Sequence, residues 1–134
     1  GDLIGRKVLR DGGATLIALL EGFDLDSVDE VFRPGIEAAF LSVRRALEHV
    51  NGRVAEDPDL PGAISTDFLD LVGYALYAWF WAEMATIAPD DDFGAAKREC
   101  AAFYFARILP RTLGLEASIV SSSACVMGLA DDAF

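Results

Sequence analysis

"GYALYAWFWAEM", residues 73–84, places five aromatic rings in twelve residues. Three readings compete for such a stretch: a membrane span, a platform that stacks a flat cofactor, or the middle of a packed core. Advancing 100° per residue from Tyr74 sorts its side chains around a helix. Leu69, Leu76, Tyr77, Phe80 and Met84 then fall between about 200° and 300°, and Phe68, Leu71, Val72, Ala75 and Trp79 between about 60° and 160°. Tyr74, Trp81, Asp67 and Asp70 share the remaining sector. Two apolar arcs predict a helix packed on more than one side. Tyr74 and Trp81, between the arcs, form an edge for another protein surface.

The membrane reading meets a specific objection. The window 68–88 is long enough to span, but it holds Asp70 and Glu83. An acid near the centre of a span costs about 3 kcal/mol, and the flanks here are acidic rather than basic. The cofactor reading lacks a base beside the rings to hold phosphates. Core packing is what remains. Glu83 lies at about 180°, between the arcs, and a buried carboxylate needs a partner. Arg107 is the expected one, with Lys97 and Arg98 as alternatives on the next helix. A catalytic acid–base role for Glu83 is the weaker alternative.

Outward from this helix the chain reads as helices separated by turn-forming clusters: "DGG" at 11–13, "DLDSVDE" at 24–30, "EDPDLPG" at 56–62 and "APDDDFG" at 88–94. Residues 3–21 have a helical apolar pattern that Gly12-Gly13 weakens or breaks. Ser27 and Glu30 form a capping-box pattern. A main helix begins near Pro34, carries Ile36, Phe40, Val43, Leu47 and Val50 on one stripe, and ends at Asn51-Gly52. The aromatic helix starts near Ser65 or Thr66 and stops before Pro89. A fourth helix, capped by Asp91 or Asp92, runs to Pro110, and a last one covers about 111–129. The predicted fold is all-α: an up-down four-helix bundle with an extra N-terminal helical segment. Residues 1–23 are read as a joining segment and 24–134 as the four-helix domain.

At 134 residues the chain fits one domain. It carries 22 acids against 11 bases, a formal charge of −11. Nucleic acid is excluded as a partner, because neutralising phosphates needs a basic patch. An anionic membrane surface is disfavoured for the same reason. Cys100 and Cys125 are too few and too far apart for a zinc site and read as reduced, half-buried hydrophobes, which points to the cytoplasm, with a disulfide between neighbouring helices as the weaker alternative. No secretory signal pattern opens the sequence. Gly1 in place of a methionine is read as a cut inside a longer protein, with a processed end as the alternative. His49 is the only histidine and reads as solvated or capping. Ser121 to Ser123 lack a nucleophile-elbow pattern, "GRK" at 5–7 is far short of a phosphate loop, and Asp90 to Asp92 read as a solvated helix cap. No catalytic, cofactor-binding or metal-ligating residue is assigned.

Two stretches carry a family resemblance. "LVGYALYAWFWAEMA" at 71–85 and "AAKRECAAFYFARILP" at 95–110 resemble the C-terminal domain of long FAD-dependent acyl-CoA dehydrogenases, the acetyl-CoA dehydrogenase-like C-terminal domain. Relatives of 3-methylmercaptopropionyl-CoA dehydrogenase belong to that group. "GDLIGRKVLRDGGA" at 1–14 resembles the segment joining the flavin-dependent body to this domain, and "GLADDAF" resembles the end of such chains. The resemblance implies a parent flavoprotein of fatty acid metabolism, a likeness that covers nearly the whole sequence. That parent would oxidise acyl-CoA to enoyl-CoA, with the catalytic glutamate and the FAD site upstream of Gly1. It implies no catalytic residue in these 134 positions. Its implied partners are the catalytic domain of the same chain and, in the parent, further copies of it. The alternative is a stand-alone helical bundle that holds an apolar ligand.

Overall fold

The computed structural model describes the backbone of residues 11–56 and 62–132, with side chains for 11–54 and 62–121. The described chain is all-helical. Helix α1 spans Ala14–Glu21, α2 Arg33–Glu56, α3 Gly62–Ile87, α4 Asp92–Phe103 and α5 Arg111–Asp132. Two 3-10 turns, Leu25–Ser27 and Glu30–Phe32, lead into α2.

The glycine pair acts as predicted. Gly12 and Gly13 have φ of 68° and 80°, a left-handed region that side chains disfavour. A Cβ at Gly13 would collide with the Leu47 side chain, so this turn also needs the missing side chain for space. Asp11 accepts from the Gly13 and Thr15 amides, each at 3.1 Å, and satisfies donors at the start of α1. The part of the predicted helix before Asp11 lies outside the described residues. Leu16 and Leu20 of α1 are buried in the core, and Phe23 beyond it packs between Phe40 and Trp79, with ring centroids at 5.8 and 4.8 Å.

The predicted capping box at Ser27 and Glu30 does not form. Asp24 and Asp29 instead accept the amides of Asp26 and Val31, and Ser27 donates its hydroxyl to the Asp24 carbonyl at 2.7 Å. Short acidic side chains compete well for nearby amides, and here they close two tight turns before a helix can start. The Asp29 amide donates to Thr86 Oγ1 at 2.9 Å, which ties the start of α2 to the end of α3. Helix α2 buries the predicted stripe, from Ile36 to Val50. It continues past Asn51-Gly52 because Val54 still packs on the core and Asn51 spends its amide on the Gly12 carbonyl, at 2.7 Å.

The α3–α4 turn is closed by three contacts. Asp91 caps α4 by accepting from the Gly94 amide at 2.8 Å. Gly94 lies so close to the Pro89 carbonyl that a Cβ there would sit 1.6 Å from its oxygen. Arg98 donates to the carbonyls of Ala88 and Pro89, both at 3.3 Å. α4 therefore runs back antiparallel along α3, and Tyr104 reaches the Tyr74 carbonyl.

The step from α4 to α5 differs from the sequence expectation. The chain makes one π-helical turn, Tyr104–Ile108, closed by the Leu109 amide on the Tyr104 carbonyl at 2.8 Å. It then bends at Pro110. On α2, Gly35 faces Phe105 and Leu109, and seven residues later Ser42 binds Glu116. Residue numbers thus rise together on α2 and α5, so the two run in the same sense. Strict up-down alternation would oppose them. The physical reason lies in the connection, where a π turn and a proline deflect a helical path and no flexible loop reverses it. Helices α2, α3 and α5 all pack on one another, while α4 packs chiefly on α3.

Candidate functional site

The two apolar arcs of α3 have different fates. Phe68, Leu71, Val72, Ala75 and Trp79 are buried, as predicted. The other arc is covered only in part: Leu69 and Leu76 are half-buried, with Leu76 packed on the core. Tyr77 is 61% exposed, Phe80 47%, Met84 37% and Ile87 76%. Their spacing of three, four and three residues makes one stripe on the helix surface. Glu83 borders this open arc and is itself exposed, as is Arg107. No ion pair joins them among the described residues. The expected burial fails at this position: among the described residues, Glu83 faces solvent beside the exposed part of the arc.

An ion pair that joins two of the helices, at the surface, lies elsewhere. Arg45 of α2 donates to Glu116 of α5 through Nε at 3.2 Å and Nη2 at 3.0 Å, and Ser42 donates its hydroxyl to the same carboxylate. The Arg45 hydrogen bonds, with help from Ser42, hold the Glu116 carboxyl below its ordinary range, against burial acting the other way. Sequence reasoning missed this triad. Its only trace was a serine and an arginine three apart on α2, where Ser42 falls beside the apolar stripe.

Tyr74 and Trp81, the predicted edge, are half-buried and meet α4. The Tyr104 hydroxyl donates to the Tyr74 carbonyl at 2.6 Å, and the Trp81 and Tyr104 rings lie 6.4 Å apart. Burial pushes the Tyr104 phenol well above its ordinary pKa. Beside these rings an open groove of about 620 Å³ runs between α3 and α4, lined by Trp81, Ala96, Glu99, Cys100, Phe103, Tyr104 and Ile108. Ala96, Cys100 and Phe103 lie at three- and four-residue spacing on α4 and are exposed. The outer edge of the aromatic helix is therefore one wall of a two-helix groove.

The lining sets limits on its chemistry. Glu99 is its single charged member, and no lysine, arginine or histidine is among the lining residues. Cys100 is exposed and free rather than half-buried, while the Cys125 side chain lies outside the described residues. His49 is half-buried with Nε2 lacking a hydrogen-bond partner, which corrects its reading as solvated. Asp91 is the cap expected of the aspartate run. No group of three or more metal-ligating side chains gathers among the described residues, and no described helix is long and apolar enough to cross a membrane.

Residues 23–130 match the family model described as acetyl-CoA dehydrogenase C-terminal like. The chain belongs to that family. The match begins at Phe23, the ring wedged between Phe40 and Trp79, and takes in α2 to α4 and nearly all of α5. No curated protein and no solved structure matches the chain.

Proposed function

We propose that this acetyl-CoA dehydrogenase C-terminal-like domain is a non-catalytic docking domain of an FAD-dependent acyl-CoA dehydrogenase. The observation that carries the reading is the family match across residues 23–130. The uncovered stripe Tyr77, Phe80, Met84 and Ile87 supports it, since an apolar face of this kind marks a contact surface. The domain would pack on the flavin-binding body of the same chain and contribute to contacts between subunits. Resemblance extends the reading to 3-methylmercaptopropionyl-CoA dehydrogenase relatives, with oxidation of acyl-CoA carried out by a glutamate and FAD of that body. The same reading takes 1–23 as the joining segment, 24–134 as the domain and the cytoplasm as its location. Helix α1 qualifies that division, because Leu16 and Leu20 already pack in the domain core.

The test is co-expression with the flavin-binding body that this reading assigns to the parent chain. Co-elution of the two pieces, with flavin absorbance and acyl-CoA turnover in the body fraction, is the expected result. A body that is stable, active and unable to bind the domain overturns the proposal.

A further inference from the structure

Two adjacent glycines ordinarily leave a chain free to pivot, because neither restricts its backbone angles. Gly12-Gly13 is held in place instead. Asn51 of α2 donates its side-chain amide to the Gly12 carbonyl at 2.7 Å. Gly13 lies against Leu47, where an added Cβ would meet both methyl carbons at 2.5 Å. The Asp11 carboxylate accepts the Gly13 and Thr15 amides at 3.1 Å and the Thr15 hydroxyl at 2.5 Å. Further along, Leu16 and Leu20 are buried, and Phe23 is wedged between Phe40 and Trp79. The elbow thus meets Leu47 and Asn51 while Phe23 meets Phe40, so α1 runs antiparallel to α2. The family match begins only at Phe23, which leaves α1 and its elbow outside what the family model covers.

We infer that residues 11–23 are a rigid strap, in which the locked glycine elbow and α1 fix where, and in which direction, the residues before Asp11 join the helical domain. The glycines here set a direction, since both φ values are left-handed. Opening the strap would take two buried leucines and a wedged ring out of the core, so it opens only when the domain unfolds. The inference goes beyond the docking role and does not depend on what the preceding body is. With a flavin-binding body attached, the strap would present the domain to it in one orientation, where a glycine hinge would allow many.

Hydrogen exchange on the 134-residue chain, read by NMR in rising urea, is the test. The Ile17 and Gly22 amides, bonded to the Gly13 and Ala18 carbonyls at 2.9 and 3.0 Å, report on α1. Their exchange should rise with urea as steeply as that of buried Val43 and Val50 on α2, because the slope measures the surface opened. A shallower slope marks local fraying and overturns the inference. Asn51→Ala removes one bond to the elbow and should speed α1 exchange about fivefold. Gly13→Ala should speed it about tenfold or more, through the clash with Leu47 and the left-handed φ. Faster α1 exchange in either variant, alone or together with α2, supports the lock, and unchanged exchange in both overturns it. If Gly13→Ala does not fold, Asn51→Ala decides alone. Gly52→Ala, beside Asn51 with open space for its Cβ, is the control and should not speed α1 exchange. A control as disruptive as Asn51→Ala would trace the effect to the end of α2 and overturn the elbow's role.

Discussion

The Tyr104 hydroxyl donates to the main-chain carbonyl of Tyr74, 2.6 Å away and thirty residues earlier in the chain. This bond joins the first residue of the π-helical turn to the middle of α3. It also holds one wall of the groove, because the Trp81 and Tyr104 rings both line it. Tyr104→Phe keeps the ring and removes the bond, so it should cost about 1 kcal/mol of stability, or about 4 °C in Tm for a domain of this size. Chemical and thermal denaturation measure this directly.

The same residue gives a pH dependence. Burial, followed by the neighbouring Tyr74 and Tyr77, raises the Tyr104 pKa above its ordinary 10.0. The folded state therefore retains a proton that the unfolded state loses, and stability falls as pH rises past the ordinary tyrosine value. Wild-type protein should lose stability above that pH more steeply than Tyr104→Phe. Denaturation midpoints of the two proteins across the alkaline range make the comparison, and parallel curves would contradict it.

Glu116 works in the opposite direction. Its pKa is lowered, first by the Arg45 hydrogen bonds and then by Ser42, so the folded state favours the carboxylate. The stabilisation is present above the ordinary glutamate value and is lost as pH falls through the depressed one. Glu116→Gln should be less stable than wild type by about 1 kcal/mol or less at neutral pH, since Arg45 is half-exposed and solvent screens the pair. The gap should shrink in acid as both proteins come to carry a neutral side chain. A gap independent of pH would show that the charge does not matter.

Gly94 is fixed by space rather than by backbone angle. A Cβ there would lie 1.6 Å from the Pro89 carbonyl oxygen, and backbone cannot yield as a side-chain tip does. Gly94→Ala should cost about 3 kcal/mol by forcing the α3–α4 turn open. Asp91→Ala, which removes only the cap, should cost about 1 kcal/mol. Urea titrations order the two, and a neutral Gly94→Ala would sink the argument.

Gly35 and Phe105 should be coupled. A Cβ on Gly35 would come within 2.8 Å of the Phe105 ring, which also stacks on Phe32 at 4.9 Å. Gly35→Ala is expected to destabilise the wild type, yet to stabilise a Phe105→Leu background once alanine's better helix propensity is unopposed. A double-mutant cycle should give a coupling of about 1 kcal/mol or more. Additive effects would mean that the π-helical turn does not seat on α2 through this ring.

Much of the fold was legible in local pattern. The stripe on α2, the glycine break before α1, the aspartate cap of α4 and the buried arc of α3 follow from periodicity and cap chemistry. These depend on neighbours in sequence, and so the sequence alone carries them. The misplacements were of another kind. Asn51-Gly52 looked like a helix end, but Val54 packs on the core and the helix continues. Ser27 and Glu30 matched a capping box, but Asp24 and Asp29 took the amides first.

The aromatic stretch shows the division most clearly. By itself "GYALYAWFWAEM" determined a helix, its two apolar arcs and the angles of Tyr74, Trp81 and Glu83. It could not determine which arc would be covered, because an apolar side chain has the same pattern whether its partner lies in this chain or another. Tertiary structure decided that Phe68 to Trp79 is core, that Tyr77 to Ile87 is open, and that Tyr74 and Trp81 face α4. The same holds for Glu116, whose partners Ser42 and Arg45 come from a helix more than seventy residues earlier. Pattern fixes the face of a helix through its period, whereas its neighbour is chosen by packing of the whole chain.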